Sequence, residues 1–102
     1  MLVFDYNKAM RLVRELRQIA TDMNNLKNGM LSQAIGGVQG GWQGETAQQF
    51  ITKCNRLSSL ISGEVNNIRN VANSLETTSD AIDKAEREAA EKLAHVLTGG
   101  LL

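Results

Sequence analysis

The sequence has no proline and few aromatic residues, and these two absences limit the folds that it can form. Aromatic residues make up 4% of the 102 residues, whereas hydrophobic residues in total make up 42%. A core must therefore be built from leucine, isoleucine, valine, methionine and alanine, a composition that favours helices over a sheet. Because proline is the strongest breaker of helix interiors, its absence allows long uninterrupted helices.

An excess of charge and long apolar runs are also absent. The 11 lysines and arginines balance the 11 aspartates and glutamates, so electrostatics gives no reason to expect a nucleic acid or a membrane surface as a partner. No segment approaches the roughly 20 apolar residues that span a bilayer, and the amino terminus lacks the regions of a signal peptide. We therefore expect synthesis in the cytoplasm, no cleavable signal peptide and no membrane contact.

The sequence offers little for catalysis or metal binding. Its single cysteine, Cys54, lies between Phe50 and Leu57 in an apolar pattern that is typical of a buried structural residue. Its single histidine, His95, has no cysteine or second histidine at ligand spacing. The glycine-rich segment lacks the lysine of a phosphate-binding loop. We therefore expect neither an enzyme nor a cofactor or metal site.

Apolar residues recur at steps of three and four in two segments, which is the spacing of packed helices. The first segment begins at Asp5, which we expect to cap the helix, and ends near residue 35. A glycine-rich segment follows, and the helical spacing then resumes. The sequence thus predicts an all-α chain with a single domain at 1–102: helix 1 at about 5–35, a glycine turn at 36–44, helix 2 at about 45–97 and a tail at 98–102.

Two helices that reverse at a glycine turn form an antiparallel hairpin, and helix 2 is long enough for residues 79–97 to protrude. A single hairpin leaves apolar residues in water, so we expect it to dimerise into a four-helix bundle. We predict that the hairpin and dimer contacts are made by Leu12, Leu16, Ile19, Met23, Leu26, Phe50, Leu57, Ile61, Ile68 and Leu75. A second, outer interface is predicted at Val13, Ala20, Leu31, Leu60, Val65 and Ala72.

The predicted turn contains a W-x-G motif formed by Trp42, Gln43 and Gly44, which Ala47 and Phe50 extend to W-x-G-x-x-A-x-x-F. With this motif between two helical segments of a 102-residue chain, the whole sequence resembles the WXG100 (ESAT-6-like) family. The resemblance implies a hairpin with a W-x-G turn that forms a dimeric four-helix bundle and is secreted by a type VII (ESX-like) system. It also implies that Trp42 and Gly44 serve the turn and export.

A second candidate export motif lies near the end of helix 2. Mycobacterial members of the family carry Y-x-x-x-D/E after the second helix, but the only tyrosine here is Tyr6, near the start. The sequence resembles members from Firmicutes instead, whose pattern of an acid between hydrophobic residues is matched by Ile82, Glu86, Ala89 and Leu93.

The resemblance implies a secreted protein that acts through protein contacts in virulence or interbacterial competition. Its implied partners are a second copy, a second WXG100-like hairpin or the N-terminal helical hairpin of a toxin, together with the type VII secretion ATPase. One alternative is a targeting adaptor or chaperone that pairs with the helical N-terminal domain of a larger type VII toxin. An alternative of another class is a structural helical-hairpin subunit of a secretion filament.

Overall fold

Two long helices make up almost all of the computed structural model, which describes residues 4–41 and 43–99. Helix α1 is Tyr6–Gly41 and helix α2 is Glu45–Gly99, and no strand occurs within the described ranges. Asp5 caps α1 as predicted, because its carboxylate accepts a hydrogen bond of 2.9 Å from the backbone N–H of Lys8. The prediction of an all-α chain is confirmed.

Contacts between the helices show that they run antiparallel. The Tyr6 hydroxyl donates to Asp80 at 2.7 Å, and the Lys27 amine donates to Ser62 at 2.8 Å. As the residue numbers increase along α1, the numbers of the α2 residues that they contact decrease. The hairpin is a rod with extents of 87 × 18 × 16 Å. The two-helix hairpin is therefore confirmed, and its dimerisation stays a prediction.

The connection between the helices is shorter than the predicted turn at 36–44. Helix α1 continues through Gly36, Gly37 and Gly40 and ends at Gly41. Glycine disfavours a helix by only about 1 kcal/mol per residue, and the segment also contains Val38, which is buried in the hairpin. Helix α2 begins at Glu45, so Gly44, which has a φ of +100°, lies in the connection. Trp42 itself lies outside the described residues.

Small residues form the contact between the two helices, which we call the inner line. Val13 and Ala20 of α1 and Val65 and Ala72 of α2 are at most 2% exposed. Their assignment to an outer interface was therefore wrong, because small side chains allow the closest approach of two helix backbones. The inner line comprises Ala9, Val13, Ala20, Val38, Ala47, Cys54, Val65, Ala72 and Ser79.

Helix α2 extends beyond the start of α1, and we call its residues 84–99 the overhang. All of them are exposed. The overhang begins later than the predicted residue 79, because Ser79 is 1% exposed and Asp80 still contacts Tyr6. Arg87 forms an ion pair with Asp83 at 2.6 Å, across one helical turn. Neither described helix contains an apolar stretch that would serve as a membrane span.

Candidate interaction surface

One side of the hairpin carries the large apolar side chains of both helices, and we call this side the apolar flank. On each helix, these residues recur at steps of three, four or seven, so they share one face. An open apolar groove of about 230 Å³, which lies between Met23 and Leu26 of α1 and Leu57 and Ile61 of α2, shows that the two faces adjoin. The flank comprises Leu12, Leu16, Ile19, Met23, Leu26, Met30, Phe50, Leu57, Ile61, Ile68, Val71 and Leu75.

The apolar flank is largely uncovered within one chain. Leu26 and Met30 are each 61% exposed, and Leu57 is 48% exposed. Isolated apolar side chains are common on protein surfaces, but a contiguous strip of them marks a site of interaction. The apolar flank is therefore a candidate surface for contact with another molecule.

All of the residues that the sequence predicted for the hairpin and dimer contacts lie on the apolar flank. None of them belongs to the inner line, and Met30 and Val71 extend the flank beyond the predicted set. Five of the predicted residues are half-buried beside the inner line: Leu16, Met23, Ile61, Ile68 and Leu75. The other five are exposed: Leu12, Ile19, Leu26, Phe50 and Leu57. Whether a second hairpin covers them stays a prediction.

The opposite side of the inner line carries polar contacts between the helices, and we call it the polar flank. Two nitrogens of the Arg17 guanidinium each donate to one oxygen of Glu76 at 3.1 Å, and one of them also donates to Asn73 at 2.9 Å. The hydrogen bond from Tyr6 to Asp80 continues this flank towards the overhang. These groups satisfy one another within the chain, so the polar flank does not require a partner.

Charge and hydrogen bonding shift three pKa values on the polar flank. The hydrogen bonds and positive charge of Arg17 lower the pKa of Glu76, and the hydrogen bonds and negative charge of Glu76 raise the pKa of Arg17. The hydrogen bond to Asp80 raises the pKa of Tyr6. Because both side chains of the Arg17–Glu76 pair are 41% exposed, solvent screening limits the pair's contribution to stability. Its bidentate geometry mainly fixes how the two helices align.

The residues of the predicted W-x-G motif lie at the start of α2, apart from Trp42, which is not described. The positive φ of Gly44 is a backbone conformation that glycine adopts readily. Its carbonyl oxygen accepts a hydrogen bond of 3.2 Å from the backbone N–H of Gln48, which forms the first turn of the helix. Ala47 is buried, and Phe50 is 38% exposed on the apolar flank.

The candidate C-terminal export motif lies at the other end of the hairpin. Ile82, at 37% exposure, precedes the overhang, and Glu86, Ala89 and Leu93 are exposed on it. Their spacing places the four side chains on one face of α2. Within one chain this motif is distant from Gly44, so only a second chain can bring the two motifs together.

The single cysteine and the single histidine lie apart in the described part of the chain, on the inner line and on the overhang. That part contains no group of three or more histidine, cysteine, aspartate or glutamate side chains that could hold a metal ion. Cys54 is buried in the inner line, and His95 is exposed on the overhang. A polar groove of about 340 Å³ runs along the first turns of α2, but residues of this helix alone line it.

The apolar flank is thus the surface with the clearest capacity to bind another molecule. Its length and shape suit a second pair of helices, since helices pack through elongated rows of apolar side chains. Sequence periodicity identified most of this surface, whereas it gave no sign of the cross-helix contacts of Arg17. Comparison with protein-family models, with curated proteins and with solved structures finds no match for this chain.

Proposed function

We propose that this chain is a WXG100-type small secreted protein, exported by a type VII (ESX-like) secretion system as a homodimer or heterodimer. It acts through protein contacts and not through catalysis. The observation that carries the proposal is the apolar flank, on which large side chains of both helices remain exposed. The W-x-G motif at the junction of the two helices links this architecture to export.

Energetics supports a helical partner on the apolar flank. Burying one leucine, isoleucine or methionine side chain stabilises a protein by about 1.5–3 kcal/mol, and the flank leaves much of this free energy unrealised. The small residues of the inner line bury little apolar area of their own, and small domains often depend on oligomerisation for stability. A second hairpin that packs on the flank gives a four-helix bundle with one shared core.

Export is tested in the cells that produce the protein. With the secretion ATPase present, we expect the chain in the culture medium, and deletion of the ATPase should confine it to the cells. A variant with Leu57→Asp should also be retained, because it places a charge in the interface that export as a dimer requires. Continued release without the ATPase would contradict the proposal.

The adaptor and filament alternatives give different assemblies. Sedimentation of the purified chain, alone and with candidate partners, distinguishes them. A finite dimer supports the proposed function and excludes a filament subunit. Co-purification with a larger toxin, together with poor stability of the isolated chain, would favour the adaptor.

A further inference from the structure

The last turns of α1 are rich in glycine, and we call residues 36–41 the glycine segment. Four of its residues are glycines: Gly36, Gly37, Gly40 and Gly41. A Cβ atom built on any of the four meets nothing within 4 Å, and none of the four has a positive φ. Because glycine is less favourable than alanine in a helix, these residues weaken the end of α1 without permitting a closer contact within the chain.

Helix α2 holds the glycine segment less firmly than it holds the rest of α1. Val38 is the only buried residue of the segment, and its other residues are exposed. Side-chain hydrogen bonds to α2 start from Tyr6, Arg17 and Lys27, and none to a described residue of α2 starts from 28–41. The polar contacts thus fix the first three quarters of α1 and leave its end to the burial of one valine.

Low helix propensity and sparse packing in the same segment favour its separate opening. Regions with few buried apolar contacts and exposed backbone hydrogen bonds open at a lower free energy than the rest of a protein. The remainder of α1 stays folded in such an opening, because the buried residues Val13 and Ala20 and the hydrogen bonds to α2 all lie outside the segment.

We infer that the glycine segment is a hinge, which leaves the helix as one unit while the rest of the hairpin stays folded. The opened state uncovers Val38 and adds residues 36–41 to the connection that precedes Glu45. With the longer connection, the two helices can change their separation next to Gly44 of the W-x-G motif, whereas the hydrogen bonds of Arg17 keep them aligned further along. The hinge operates within a single chain and requires no partner.

The test is native-state hydrogen exchange of the full chain, followed by NMR. The backbone amides of 38–41 donate to carbonyls one helical turn earlier, so they exchange when the segment opens. We expect their protection factors to be at least about tenfold lower than those around Ala20 and to share one opening constant. Protection equal to that around Ala20 would overturn the inference. Protection that falls steadily towards Gly41 would also overturn it, because such a gradient is ordinary fraying of a helix end.

A second arm stabilises the helical state of the hinge by combining Gly36→Ala with Gly40→Ala. Each substitution should lower the opening constant about fivefold, so the double variant should slow exchange of the amides at 38–41 about twentyfold. The control is Gly63→Ala, which changes an equally open glycine of α2 and should leave the exchange of these amides unchanged. If Gly63→Ala slows them as much as the double variant does, they exchange only when the whole hairpin unfolds, and the inference fails.

Discussion

The two flanks of the hairpin differ in how many of their side chains find contacts within one chain. On the polar flank, Arg17 finds Glu76 and Asn73 within the same chain, and Tyr6 finds Asp80. On the apolar flank, Leu26 and Leu57 remain about half exposed or more. Both flanks border the same inner line of small residues. The polar flank therefore aligns the helices, whereas the apolar flank leaves large apolar side chains exposed to solvent.

The largest expected effect is a loss of stability that should be much greater for a substitution on the inner line than for one on the apolar flank. Val65→Asp should destabilise the hairpin by about 3 kcal/mol or more, because it buries an unpaired charge at a position that is 2% exposed. The matched control is Val71→Asp, where the same side chain is 56% exposed on the flank and the loss should be much smaller. Urea denaturation measures both, and equal losses would show that the inner line is misassigned.

The next effect concerns association and not folding. Leu57→Asp should raise the dissociation constant of the homodimer about a hundredfold, as expected for a charge in a desolvated interface. Asn70→Asp introduces the same charge at an exposed position of α2 outside the flank and serves as the control. Sedimentation equilibrium would contradict the assigned interface if both substitutions weakened the dimer equally.

A smaller and opposite effect is expected within the inner line. The Ser79 hydroxyl is buried and has no hydrogen-bond partner among residues 4–41 and 43–99, so Ser79→Ala should stabilise the hairpin by about 1 kcal/mol. Ser59→Ala makes the same change at an exposed position and should shift the unfolding free energy much less. A loss of stability for Ser79→Ala would indicate that the hydroxyl is satisfied in solution.

The smallest effect is a pH dependence from the polar flank. Arg17 lowers the pKa of Glu76 below its ordinary value of 4.5, so the stabilisation is present above pH 4.5 and is lost as the pH falls through the lowered pKa. Glu76→Gln should therefore reduce the loss of stability between pH 7 and strongly acidic pH. Unfolding at both pH values measures it.

Arg17→Gln is the control for this pH effect, because it removes the other half of the same pair. It should remove the same component of the pH dependence. If Glu76→Gln shows the full acid-induced loss of the wild type, the ion pair contributes nothing in solution.

Sequence periodicity was sufficient to predict the two helices but not to predict which residues form the contact between them. Steps of three and four residues predict which face of a helix is apolar, and that face is wide enough to include both Leu12 and Val13. Which of the two touches the other helix depends on how closely the backbones approach. Val13 is 1% exposed and Leu12 is 48% exposed, so the smaller residue is inside the hairpin and the larger one remains exposed.

Local sequence patterns could not predict where α1 ends or which polar side chains contact each other across the hairpin. Glycine lowers helix propensity, which suggested that α1 ends near residue 35, but burial of Val38 in the hairpin accompanies a helix that continues to Gly41. Arg17 and Glu76 are 59 residues apart in sequence, so no local pattern relates them. The sequence predicts which residues form the apolar flank, but only the paired helices show which of their neighbours form the inner line.

The overhang has a thermodynamic consequence of its own. Residues 84–99 make no tertiary contacts that bury them, so their helicity depends on intrinsic propensity and on local pairs such as Asp83 with Arg87. On heating, this end should lose ellipticity gradually, as a sloping pretransition baseline, before the paired part unfolds cooperatively. A partner that docks along the overhang would flatten that baseline and raise the calorimetric enthalpy of the main transition.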